Sequence, residues 1–132
     1  MERIGIDLDG LLNRISWFHD NLRIPWWLLL WLIFVKPNKK MVEILRKLDE
    51  QNIIIVSARP KQLDGLTRRW LRYHKIPFSN LFCVGLEKGV SQRKLEVINQ
   101  MGIKRFIDSD EKIVNFLREN FINASTGGEV LG

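Results

Sequence analysis

The stretch that decides the fold is Asn52-Ile53-Ile54-Ile55-Val56-Ser57. Its apolar residues run without the alternation that a half-solvated strand shows, so both of its faces must be covered. Such runs belong to parallel sheets lying between helices. Working outward, Lys39 to Glu50 reads as a helix, because Met41, Ile44, Leu45 and Leu48 recur at i, i+3, i+4 and i+7. Asn38, just after Pro37, is placed to cap it. Before it, Ile4-Gly5-Ile6 is a short buried strand leading into Asp7. On the other side a helix starts at Pro60, with Leu63, Leu66, Trp70 and His74 on one face, and Pro77 ends it. Leu81 to Val84 reads as a third strand, Ser91 to Met101 as a helix stopped by Gly102, and Ile103 to Ile107 as a fourth strand. Ser109 is expected to cap a last helix reaching Asn120. Ala124 to Gly132, small and Gly-rich, reads as a loose tail. Strand and helix alternate with short links, which predicts an α/β fold: a three-layer, Rossmann-like parallel sheet. Residues 1–123 form one domain in this reading, and 124–132 follow it.

Composition agrees. A chain of 132 residues, 45% hydrophobic and 27% charged, can build its own core. The lone Cys83 cannot form an internal disulfide, and no Cys/His spacing suits zinc. A cytoplasmic setting is favoured. The net charge of +6 suits an anionic partner, whether phosphate ester, nucleic acid or acidic lipid.

One region breaks the alternation. Residues 11–37 are inserted after the first strand and carry Trp17, Trp26, Trp27 and Trp31. Trp26 to Val35 holds no charged side chain, yet as a helix it would reach only about 15 Å, too short to span a bilayer. Leaving these side chains in water would forfeit on the order of 15–30 kcal/mol. Three covers are open: a small lid or flap that also forms a homodimer contact, packing within the monomer, or docking on a membrane surface with Arg23, Lys36, Lys39 and Lys40 at the headgroups.

Chemistry concentrates where strands end. Asp7, Ser57 and Asp108 each close an apolar run, and in an open parallel sheet the carboxyl ends of the strands share one crevice. Asp9, two residues beyond Asp7, projects to the same side of an extended chain. Like charges about 4 Å apart repel by roughly 4 kcal/mol at an effective dielectric of 20, so protons or a cation must relieve the cluster. Oxygen ligands without nitrogen or sulfur favour Mg²⁺. Lys94, on the helix before the Asp108 strand, offers a further positive group. Arg59 is open to two readings, reaching a substrate phosphate or making a surface salt bridge. His74, Cys83 and Asp110 read better as packing, packing and a first-turn helix acid. The Arg68, Arg69, Arg72, Lys75 cluster reads better as a solvated face than as a nucleic-acid site.

These residues carry a resemblance. Ile6-Asp7-Leu8-Asp9-Gly10 is similar to the first motif of the haloacid dehalogenase superfamily, and Ile55-Val56-Ser57-Ala58-Arg59-Pro60 to the second. Lys94 matches the third-motif lysine and Phe106-Ile107-Asp108 the acidic fourth motif, while Thr67 to Phe78 looks most like the nucleotidase-related branch. The resemblance implies a Mg²⁺-dependent phosphatase acting on a phosphomonoester such as a nucleotide. Asp7 would be the nucleophile that forms an aspartyl-phosphate, and Asp9 the general acid and base. Asp7, Asp9 (through its backbone carbonyl) and Asp108 would hold Mg²⁺. Ser57 would bind phosphoryl oxygens, Lys94 would balance charge, and the insertion would be a minimal cap. Two positions depart from the pattern: Leu11 stands where many members have Thr, and Ser109, followed by Asp110, where a second acid is common. Two other functions remain open: a catalytically weakened binding or scaffold protein, and a membrane-surface phosphatase using the Trp-rich insertion. A macromolecular phosphate, nucleic acid included, is compatible with an open pocket.

Overall fold

The computed structural model describes residues 2–12, 35–85 and 88–131. Most of the aromatic insertion, with its lid, dimer and membrane readings, lies outside them. Five strands form one all-parallel sheet: β1 (Arg3–Ile6), β2 (Ile53–Ser57), β3 (Asn80–Cys83), β4 (Ile103–Asp108) and β5 (Asn123–Thr126), in the order β3-β2-β1-β4-β5. Helices α1 (Lys39–Arg46), α2 (Asp64–Tyr73), α3 (Val90–Met101), α4 (Glu111–Glu119) and α5 (Gly127–Leu131) link and follow them.

Each face of the sheet has its own apolar cluster. Ile6, Ile53 and Ile55 point one way, to Met41 and Leu45 of α1 and Trp70 and Leu71 of α2. Ile54, Val56 and Phe106 point the other way, to Leu95 and Ile98 of α3 and Val114 and Leu117 of α4. Alternate residues of the unbroken β2 run thus feed opposite clusters, and all five are buried. The expected three-layer α/β architecture is what the chain adopts. Close packing also explains Gly5, where a Cβ would lie 2.5 Å from Cδ2 of Phe106.

Local expectations hold in part. Asn38 caps α1, its side chain accepting from the Met41 N–H, and Gly102 closes α3 in the left-handed conformation. The α1 helix stops at Arg46 rather than Glu50, since Asp49 caps a separate 3-10 turn over Glu50–Asn52. Pro60 likewise precedes a 3-10 turn, Lys61–Leu63, before α2 begins. The α4 cap is Asp110, not Ser109: its carboxylate accepts from the Lys112 N–H, while the Ser109 hydroxyl turns inward. Residues 124–131 are not a loose tail. Parallel pairing with β4 and burial of Ala124 hold β5, and Glu129 of α5 binds Thr126 and Arg118.

Candidate active site

Register builds the site. Ile6 pairs with Ile55 on one side and Ile107 on the other, so Asp7 and Asp108 leave adjacent strands at the same level. The Asp7 N–H donates to the Ile107 carbonyl at 2.9 Å, which extends the ladder one residue beyond β1. The chain then turns: the Leu11 and Leu12 N–H groups donate back to Leu8 O, and Gly10 takes φ 83°, a conformation glycine adopts readily. The turn leaves Asp9 beside Asp7. It also explains Leu11, a buried core residue at the start of the insertion. The Asn38 N–H donates to Leu12 O at 2.6 Å, tying together the flanks of the insertion.

Every acid expected in the site is there and buried: Asp7 and Asp9 are 3% exposed and Asp108 is fully enclosed. Their charge is met by two buried cations of the chain itself. Lys94 Nζ donates to Asp7 Oδ1 at 2.9 Å and to Asp108 Oδ2 at 2.7 Å. Arg59 Nε and Nη2 grip Asp9 Oδ2 and Oδ1 at 2.8 and 2.7 Å, and its Nη1 donates to Thr67 Oγ1 of α2 at 3.1 Å. Arg59 therefore makes no surface salt bridge, being only 1% exposed. Both groups have given up water to form this bidentate pair, so removing either one would leave a buried charge uncompensated. Ser57, wholly buried at the end of β2, shapes the turn that aims Arg59, its Oγ accepting from the Arg59 N–H at 3.0 Å.

Three acids face two cations, and the surplus falls on Asp7. Burial and the nearby Asp108 carboxylate push its pKa from 3.8 up to about 7, against the opposing pull of Lys94. Burial works against the Lys94 ammonium, but Asp108 and Asp7 more than offset it and hold Lys94 firmly protonated.

Ser109 joins the two acids of the first strand. Its Oγ lies 3.1 Å from Asp7 Oδ2 and 3.0 Å from the Asp9 carbonyl oxygen. A hydroxyl carries one proton, so it donates to only one of them at a time. Three oxygens thus converge beside a surplus negative charge, a donor set that suits Mg²⁺, which commonly uses one or two carboxylates with waters and substrate oxygens. The acids do not form a dedicated cage: among the described residues no group of three His, Cys, Asp or Glu is arranged to hold a metal. The Asp9 carboxylate faces Arg59, and Asp108 is engaged by Lys94 and by the Asp110 N–H at 2.9 Å.

Cys83, Arg68 and His74, read as bystanders, take no part in the ion pairs of the site. Cys83 is buried, and that burial pushes its thiol up to about 11. Arg68 is bound to Asp64 and to Leu81 O. His74 is half-buried against Trp70, its pKa lowered by desolvation. The Arg59–Asp9 pair joins residues 50 positions apart, which hides it from a local reading of the sequence. A basic residue just past a buried strand end is the one hint of it.

No protein-family model matches the chain, and no curated protein does. Two solved structures share its fold. One, titled "Structure of the Pnkp1/Rnl/Hen1 RNA repair complex", contains a chain of TM-score 0.73 and 18% identity, covering 95% of this chain and 42% of that one. The other, "Structure of Pnkp1/Rnl/Hen1 complex", gives TM-score 0.75 at 17% identity, over 95% and 45%. The chain thus spans less than half the length of either neighbour. At such identity the likeness shows the fold alone. These findings overturn the expected membership of the haloacid dehalogenase superfamily and its nucleotidase-related branch: no family model supports it, and the neighbours come from an RNA repair complex. Asp-x-Asp-Gly and an apolar strand ending in Ser are short patterns, and crevices at the carboxyl ends of parallel strands serve many chemistries.

Proposed function

We propose that the protein is a Mg²⁺-dependent phosphatase that hydrolyses a phosphomonoester through a phosphorylated Asp7. One observation carries the reading: a buried carboxylate with a pKa near 7 shares its ammonium partner with a second acid, while a third acid stands beside it in an arginine clamp. Buried, strongly perturbed acids at the carboxyl edge of a parallel sheet are good candidates for chemistry.

In the first step an Asp7 oxygen attacks phosphorus and the bond from phosphorus to the leaving oxygen breaks; a leaving group that needs a proton takes it from Asp9, and a phenolate departs without one. In the second, water attacks phosphorus, Asp9 takes a proton from it, and the bond from phosphorus to Asp7 breaks to release phosphate. Lys94 holds Asp7 in place and offsets negative charge as it grows. Asp7 Oδ2 and the Asp9 carbonyl would hold Mg²⁺, with Asp108 adding charge from behind Lys94. When bound, the ion would neutralise phosphoryl oxygens. Both Asp9 carboxylate oxygens accept from Arg59, so leaving groups that need no proton, such as phenolates, suit this arrangement best. The solved chains of like fold belong to an RNA repair complex, which is compatible with a phosphate carried by a nucleotide or a nucleic-acid end.

Phosphate release from an aryl phosphate, with and without Mg²⁺, tests the proposal. Asp7→Asn is expected to abolish turnover, and equal rates for variant and wild type would overturn the reading. The clamp also favours a second reading, an anion-binding protein without turnover; no phosphate release under any metal condition would support it.

A further inference from the structure

Outside the acid cluster, a groove of about 490 Å³ runs along α2. Leu66, Arg69, Trp70, Tyr73 and His74 form one wall, and Val35 and Lys36 the other. Three rings run along its floor and rim. Trp70 and His74 have centroids 4.8 Å apart, and Tyr73 meets His74 edge-on at 5.1 Å. The floor is fixed in place: Trp70 Nε1 donates to Val35 O at 2.9 Å, and Arg46 of α1 donates to the carbonyls of His74 and Lys75 at the end of α2. Tyr73, by contrast, is 82% exposed. A tyrosine ring left in water beside a volume of ligand size is an unfilled stacking surface.

Charge narrows the occupant. Lys36 and Arg69 are both exposed, no acid is among the described lining residues, and Lys39 and Lys40 stand exposed at the start of α1. An exposed ring, Tyr73, backed by the half-buried His74 and flanked by the cations Lys36 and Arg69, matches a stackable base joined to phosphates. An acidic peptide would satisfy the cations and leave the rings without partners. We propose that the groove formed by Lys36, Leu66, Arg69, Trp70, Tyr73 and His74 binds single-stranded nucleic acid, a base stacking on Tyr73 while Lys36 and Arg69 meet the phosphates. Groove and acid cluster share α2, since Thr67, which accepts from the Asp9 clamp Arg59, lies one turn before Trp70, about 5 Å along the axis. That the bound strand is also the substrate, its terminal phosphate reaching Asp7, rests on the phosphatase reading above.

The test is fluorescence anisotropy of a labelled single-stranded oligothymidylate octamer with wild type, Tyr73→Ala and Arg69→Glu, beside aryl phosphate turnover by the same proteins. Tyr73→Ala is expected to weaken binding about tenfold, as loss of one stacked base does. Arg69→Glu is expected to weaken it and to flatten its salt dependence, and both variants are expected to keep wild-type aryl phosphate turnover. Three results would each overturn the groove: no octamer binding by wild type, unchanged affinity in both variants, or displacement of the octamer by polyglutamate at equal charge concentration. Ring-dependent octamer binding by a protein inactive on aryl phosphate would keep the groove and remove the catalytic reading. An active protein whose variants bind the octamer like wild type would do the reverse.

Discussion

Asp7 carries the surplus charge of the site, and this has a consequence for stability. Its carboxyl titrates near 7 in the folded chain against 3.8 in the reference state. Between those values the native state holds more of this proton than the unfolded chain, so stability falls as pH rises through that window and levels off above it. Asp7→Asn removes the dependence. In EDTA, the denaturation midpoint of wild type is expected to drop relative to Asp7→Asn between pH 5 and pH 8, and parallel curves would contradict the assignment. Arg59 makes the opposite kind of test. Replacing it with Met strands the Asp9 carboxylate among buried groups, and breaking such a pair from one side costs about 3–5 kcal/mol. Pairing Arg59→Met with Asp9→Leu should recover most of that loss in urea denaturation; an additive double mutant would rule out the coupling. Asp7, Ser57 and Asp108 were legible as residues because each closes an apolar run, Asp9 because it lies two residues beyond Asp7, and Lys94 because it sits on the helix before the Asp108 strand. The clamp was not, since hydrogen-bond partners 50 positions apart leave no local pattern.

At the scale of elements, the β2 run carries the architecture, and its neighbours are legible for the same reason. Apolar residues without alternation demand cover on both faces, and the helices on either side supply it. The ends of elements were harder to read. Ser109 and Asp110 are both good caps on paper, and the choice between them depends on the pull of Asp7 and the Asp9 carbonyl on the serine hydroxyl. Asn123 to Leu131 lacks the β-branched run of β2, so its strand and helix become visible only once β4 offers an edge to pair with. The tight centre of the sheet gives a clean prediction. Gly5→Ala places a methyl 2.5 Å from a Phe106 ring carbon, an overpacking expected to cost about 1–3 kcal/mol by chemical denaturation. An unchanged midpoint would mean that β1 and Phe106 are farther apart than described.

For the molecule as a whole, a parallel sheet brings residues scattered from position 7 to position 108 into one buried cluster, and the proposed chemistry depends on that gathering. Fold class was legible because alternation is a property of the entire chain. Among the described residues no helix is long and apolar enough to cross a membrane. Family membership was not legible, because motifs of four or five residues place polar groups at strand ends without fixing descent. The insertion concentrates four of the chain's five tryptophans, and most of it lies outside the described residues. The most direct measurement of the central claim is mass spectrometry of the Asp7 peptide after acid quench of the protein turning over an aryl phosphate. The account predicts a phosphoryl group on Asp7, present with Mg²⁺ and lost in Asp7→Asn. Phosphate release with the modification on another residue, or with none on any quenched peptide, would contradict it.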